Sequence, residues 1–259
     1  MKRRKFIENA ALSSTALLLG QSALADAGKA VKKELYEWRE YEIRFRSSPD
    51  TLHEYLEKSF IPALNKFGVK TVGVFKEIGK TEPPKIYVLI AYPSFEEYLS
   101  INASVKKDDA YLKSSETWNK LPAEKPIFNR INTSLLLAFD GFPTLKVPAK
   151  EPRIFEIRTY EGYNEDAVAR KVKMFNEEEF TIFNRTKLNS VFFGDAIAGP
   201  NLPSLTYMLT FKNMEERDKN WAAFIGDADW KRISNDPKYA NTVSNIRRVF
   251  VEPVAYSQV

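Results

Sequence analysis

Hydrophobic and polar positions alternate in two short stretches, and the rest of the chain is read outward from them. In Arg39-Glu40-Tyr41-Glu42-Ile43-Arg44, continued by Phe45, an extended chain carries Tyr41, Ile43 and Phe45 on one face and Glu42 and Arg44 on the other. At an offset of 114 residues, Arg153-Ile154-Phe155-Glu156-Ile157-Arg158 sets Phe155 and Ile157 against Glu156 and Arg158. A strand of this kind needs a packed core on one side and a wetter or well-paired neighbourhood on the other. The expectation is that the charged side lines the interior of a small barrel.

After each of these strands the period changes from two to between three and four. Ser48-Pro49-Asp50 supplies an N-cap, a first-turn proline and an acid at the positive helix end. Leu52, Tyr55, Leu56, Phe60, Ala63, Leu64 and Phe67 then form one apolar stripe ending at Gly68, and Pro62 predicts a kink within it. Strands are predicted at Thr71 to Ile78, Ile86 to Tyr92 and Ser134 to Phe139, with a helix from Ser94 or Phe95 between the last two.

The second half repeats this order. Asn164-Glu165-Asp166 starts a helix whose apolar face is Val168, Val172, Phe175, Phe180 and Phe183. Strands follow at Val191 to Ile197, Leu205 to Phe211 and Val249 to Val251, and Leu205 to Phe211 matches Ile86 to Tyr92 at an offset of 119. Self-similarity over this length marks a duplicated unit. The fold class is therefore α+β, with two tandem ferredoxin-like βαββαβ repeats, residues 34–140 and 153–256, joined by a linker at 141–152.

Residues 1–25 change the reading of charge. Lys2-Arg3-Arg4-Lys5, an apolar run from Ala10 to Leu19, and Ala23-Leu24-Ala25 make a three-part export signal with cleavage near Ala25. Arg3-Arg4-Lys5-Phe6-Ile7 also resembles a twin-arginine signal. Setting residues 1–25 aside lowers the formal charge from +5 to +2, so no basic footprint for nucleic acid remains. The apolar run is too short and polar for stable membrane anchoring. The expectation is a periplasmic or secreted protein, without disulfides because the chain has no cysteine.

Phe155-Glu156-Ile157-Arg158-Thr159-Tyr160 is similar to the Tyr-Glu-Leu-Arg-Thr-Tyr opening of the NIPSNAP family, and Asp227-Ala228-Asp229-Trp230 resembles the Asp-x-x-Trp segment late in that domain. The first repeat departs from the pattern, with Phe45-Arg46 where Thr-Tyr would stand. The resemblance implies a dimeric-type α+β barrel formed within one polypeptide, with Tyr41, Ile43 and Phe45 under helices and Glu42 and Arg44 between the sheets. Relatives with such barrels include cofactor-free monooxygenases, isomerases and haem-degrading enzymes, so fold alone selects no reaction.

Four side chains lead the site candidates: Glu42, Arg44, Glu156 and Arg158, either surrounding an anionic ligand or forming cross-strand ion pairs that bind nothing. His53, the only histidine, is a proton carrier or a half-exposed helix residue. Trp221 and Trp230, with Trp118 and Phe224, form either a ligand wall or core. Glu177-Glu178-Glu179 reads as a solvated face, because three consecutive helical side chains diverge. One histidine and no cysteine leave no zinc site of ordinary composition, and neither a metal nor a cofactor is expected.

Three functions stay open. One is an exported protein binding a small organic ligand in its cavity, and homo-oligomers are compatible with it. Another is a cofactor-free monooxygenase or isomerase, with Arg158 holding an anion, Glu156 as base and His53 or Tyr160 as proton donor. The third is a scaffold acting through its surface.

Overall fold

The computed structural model describes residues 32–79 and 81–259; the export signal read over 1–25 lies outside the described residues. From residue 33 onward the chain forms one compact unit. None of its helices is long and apolar enough to cross a membrane.

Eight strands appear in chain order: β1 (Leu35–Ile43), β2 (Thr71–Glu77), β3 (Lys85–Tyr92), β4 (Phe128–Ala138), β5 (Ile154–Glu161), β6 (Asn189–Ala198), β7 (Ser204–Phe211) and β8 (Asn245–Pro253). They close into a barrel in the order β1-β3-β2-β8-β5-β7-β6-β4. Each half contributes an antiparallel sheet of ferredoxin-like order, and the seams are β2 against β8 and β4 against β6. The fold is thus an α+β barrel of the dimeric type, closed within one chain.

Helices cover the outside. In the first half they are α1 (Asp50–Tyr55), α2 (Ile61–Lys66), α3 (Phe95–Val105), α4 (Asp109–Ser114) and α5 (Glu116–Asn119); in the second, α6 (Glu165–Met174), α7 (Phe180–Arg185), α8 (Met214–Gly226) and α9 (Ala228–Ser234). Local chemistry sets their starts. The Ser48 hydroxyl accepts from the Asp50 amide, and the Asn164 side chain accepts from the Ala167 amide at 2.9 Å. Gly68, at φ +104°, takes the left-handed position after α2 that lacks a Cβ penalty.

A π-helical turn interrupts each long helix, at Leu56–Phe60 and at Phe175–Glu179. The second has no proline near it, so the interruption of this helix occurs in both repeats and does not depend on Pro62. One extra residue per π turn changes which side chains align. Eight positions along a regular α-helix are roughly 80° out of line, and the insertion reduces this to about 20°. Lys171 and Glu179 thereby share a face.

Three apolar clusters hold the unit together. One lies between the first sheet and its helices, around Tyr41, Ile43, Leu52, Leu56 and Leu64. A second, rich in aromatic rings, does the same in the other half, where fully buried Phe175 packs against Phe139, Phe183, Phe193 and Tyr207. The third fills the barrel interior with Tyr36, Trp38, Phe75, Phe155, Ile157, Phe192 and Met208.

That third cluster overturns the expected orientation of the charged face in β5, whereas in β1 Tyr41 and Ile43 pack under the helices as expected. Phe155 and Ile157 point into the barrel, and Glu156 and Arg158 point toward the helices. Around Phe155 and Ile157 the barrel is filled by apolar side chains, so an ion pair at that depth would lack water and donors. The helix side supplies both.

The repeat register also needs correction. β1 and β5 superpose at an offset of 119, the same as β3 and β7: Glu37 lies opposite Ile90 as Glu156 lies opposite Leu209. The first-half counterparts of Glu156 and Arg158 are therefore Glu37 and Arg39, not Glu42 and Arg44. Arg44 and Phe45 lie beyond the end of β1 and are exposed, Phe45 by 67%.

Candidate functional site

In β5, alternation aims Ile154, Glu156, Arg158 and Tyr160 at the helix layer, and α8 answers with Arg217 and Trp221, one helical turn apart. Glu156 is fully buried. Its Oε1 accepts from Arg158 Nη1 at 2.8 Å and Arg217 Nη2 at 3.0 Å. Its Oε2 accepts from Arg217 Nε at 2.9 Å and the Trp221 indole at 2.8 Å. Burial alone would raise its pKa, but the Arg217 hydrogen bonds, the charge of Arg158 and the Trp221 bond together hold it below the ordinary value. This carboxylate is saturated and permanently ionised near neutrality. Its work is to fix Arg158 and Trp221, whose indole lies 4.3 Å from the Arg158 guanidinium carbon.

Above it opens a cavity of about 530 Å³, bounded by β5, β8 and the second-half helices. Arg158, Tyr160, Trp221 and Trp230 line it together, as do Lys171, Glu179, Arg217, Tyr239 and Arg248. Ile225 and Ile246, 61% and 42% exposed, stand at its mouth. Trp230 is set by the Asp227 cap of α9, whose Oδ1 accepts from the Asp229 and Trp230 amides. Arg185 in turn grips both Asp227 oxygens.

Two cations face each other on this wall. Arg158 and Arg248 are direct cross-strand partners between β5 and β8. Arg248 is exposed, and its side chain makes no hydrogen bond or ion pair among the described residues. Like charges directly opposed on a sheet are unfavourable by themselves.

Deeper in, Glu179 on the π turn pairs with Lys171, both buried. Their N–O contact is accompanied by Lys171 lying 4.8 Å from the Phe175 ring centre and 5.4 Å from that of Trp230. Burial raises the pKa of Glu179, and Lys171 offsets only part of that effect. Glu179 is thus not part of a solvated acidic face; only Glu177 is exposed, and Glu178 pairs with Arg232 and Lys238. Tyr160 and Tyr207 exchange a hydrogen bond between hydroxyls at 2.7 Å.

The remaining sequence candidates lie elsewhere. Glu42, half-buried near the end of β1, accepts from Asn129 at 2.8 Å, and Arg44 is exposed. His53 belongs to the first half, where its Nδ1 meets the Tyr256 hydroxyl at 2.6 Å; the chain's one histidine is outside the cavity. Trp118 stacks on Tyr55 at 4.5 Å and is not part of the Trp221 wall. Lys171, Glu179, Arg217 and Arg248 were missed by sequence reasoning. For Arg217 a signal existed: it lies four residues before Trp221 on a helix facing Glu156.

The NIPSNAP family model matches residues 155–258, which span β5 through β8 and contain this whole cavity. This half of the chain is a NIPSNAP domain. In three dimensions, a proposed monooxygenase from Fusobacterium nucleatum superposes with a TM-score of 0.54 at 10% identity, over 86% of this chain and 93% of that one. A second proposed monooxygenase, from Lactobacillus acidophilus, gives 0.49 at 11% identity over 85% and 94%. A NIPSNAP-like domain protein from Burkholderia xenovorans gives 0.37 at 15% identity, over 41% of this chain and 90% of its own. At such identities the first of these likenesses is one of fold. No curated protein matches in sequence. The NIPSNAP domain thus carries Arg158, Tyr160, Lys171, Glu179, Trp221 and Trp230 around one cavity.

Proposed function

We propose that the protein binds a small planar organic anion in the cavity of its NIPSNAP domain. The observation that carries this reading is the Arg158–Arg248 pair on the cavity wall, in which Glu156 balances Arg158 and no partner among the described residues balances Arg248, beside the indoles of Trp221 and Trp230. Four cations and one carboxylate, Glu179, line the space, so its local field favours a negative guest. A scaffold acting through its surface alone has no need of such a chamber. Export through residues 1–25 belongs to the same proposal, and an N-terminus at Asp26 in protein recovered from the periplasm tests that part.

Tryptophan fluorescence tests the binding reading. Titration with 2-naphthoate is expected to quench saturably, and the neutral analogue 2-naphthalenemethanol at least tenfold less tightly. Equal affinity for the two, or no saturation with naphthoate, refutes it. Native mass spectrometry of protein from its own cells is expected to show a co-purifying acid.

A further inference from the structure

We propose that Glu179 is a general base and that the cavity enolises aryl 2-oxo acids, an inference that rests on the binding reading above. The cavity neighbourhood holds two buried carboxylates in opposite states. Glu156 is saturated by Arg158, Arg217 and Trp221, does not line the cavity, and has no capacity to take a proton near neutrality. Glu179 lines the cavity, has Lys171 as its ionic partner, and sits where burial favours its protonated form. The π turn is what turns it inward.

The substrate class follows from the functions that line the wall together. A carboxylate suits Arg158 and Arg248, and an aromatic ring suits Trp221 and Trp230. The group that a carboxylate base beside an ammonium can act on is a carbon acid next to a carbonyl. Glu179 removes a proton from that carbon: the C–H bond breaks and an O–H bond forms. The freed pair makes a carbon–carbon double bond, and the carbonyl π pair moves onto oxygen, where the Lys171 ammonium stabilises it. Protonated Glu179 then delivers the same proton to that oxygen, giving the enol. Nothing is oxidised or reduced, and no third reactant enters.

The test uses the whole protein and phenylpyruvate in D2O, following loss of the methylene signal by proton NMR. Wild-type protein is expected to accelerate exchange over buffer, and E179Q to lose ~10²-fold or more of that acceleration, while its phenylpyruvate Kd by tryptophan fluorescence changes less than ~3-fold. A second variant, K171M/E179L, removes both charges together, guarding against misfolding from an unpaired lysine; circular dichroism confirms its fold, and it too is expected to be inactive. Exchange at the wild-type rate in either variant overturns the base role. Wild-type binding without exchange above buffer, or binding of 2-naphthoate but not phenylpyruvate, overturns it as well and leaves the binding reading standing, whereas no binding of either acid sinks both.

Discussion

Replacing Glu156 by Gln tests how this cavity is held. The substitution keeps the shape but removes the charge, and it turns an NH₂ group toward donors that previously met oxygen. Arg158 and Arg217 then remain with side chains only 10% and 14% exposed, so solvent screens them weakly. Removing one partner of a buried ion pair costs about 3–5 kcal/mol. For a unit of this size that corresponds to a fall in Tm of about 6–20 °C. The equivalent change at Glu37 should cost less, about 1–3 kcal/mol, because Glu37 meets one cation, Arg39 at 2.7 Å, and the Tyr92 hydroxyl at 3.1 Å. Urea unfolding followed by far-UV circular dichroism measures both. The pH dependence has a definite sign: the folded pKa of Glu156 lies below the ordinary 4.5. Its contribution is full above 4.5 and is lost as pH falls through the lower folded value, a loss absent from Glu156→Gln. A cost under about 1 kcal/mol for Glu156→Gln, or an equal or larger cost for Glu37→Gln, refutes the account of this network.

Arg248→Ala is expected to weaken 2-naphthoate binding roughly 5-fold while the Tm of the free protein holds or rises slightly as the like-charge contact is removed, read by fluorescence titration and thermal melts. Asp227→Asn should lower the thermal stability of α9 and shift Trp230 emission to the red; its wild-type carboxylate, held at about 2 by Arg185 and the α9 amides, contributes stability that disappears only as pH falls toward that value. His53→Gln should leave ligand affinity unchanged. Burial lowers the pKa of His53 from 6.5, so the unfolded chain takes up a proton first and wild-type stability declines as pH falls below 6.5; the variant should be flatter there in urea unfolding at successive pH values.

Much of the architecture could be read from periodicity. The strand alternation, the helix stripes, the caps at Ser48 and Asn164 and the Gly68 terminus rest on local rules that the tertiary structure does not override. Arg158 and Tyr160, named as one set, and Trp221 and Trp230, named as another, converge on one cavity. Orientation was less accessible. A strand with two distinct faces does not reveal which lies inside a closed barrel, and β1 has glutamates at 37, 40 and 42, so the closest match of letters chose the wrong one. Applying the β3-to-β7 offset to β1 would have selected Glu37 and Arg39. Glu179 was hidden for a different reason: a regular helical wheel turns it away from Lys171, and the π insertion that brings them together leaves no mark in the hydrophobic pattern.

Comparing the halves at the offset of 119 shows why only one of them holds the cavity. Where the second half has Lys171 and Glu179, the first has Leu52 and Phe60, and Asn102 and Tyr98 stand for Trp221 and Arg217. The Glu-x-Arg pair survives in both, with Glu37 buried and bound to Arg39. In the first half, however, the Arg39 guanidinium lies 4.9 Å from the Phe60 ring centre, and Tyr55 stacks between Phe60 and Trp118. Rings occupy the volume that the second half leaves open. The ion pair is therefore a structural element common to both repeats, able to anchor a helix to its sheet without any ligand. What distinguishes the second half is the set added around it: an unpartnered Arg248, a protonatable Glu179 and two indoles set by α8 and α9. Rings thus fill the space between sheet and helices in the first half while the second half keeps a chamber there, so the binding proposed above is expected at one site rather than two.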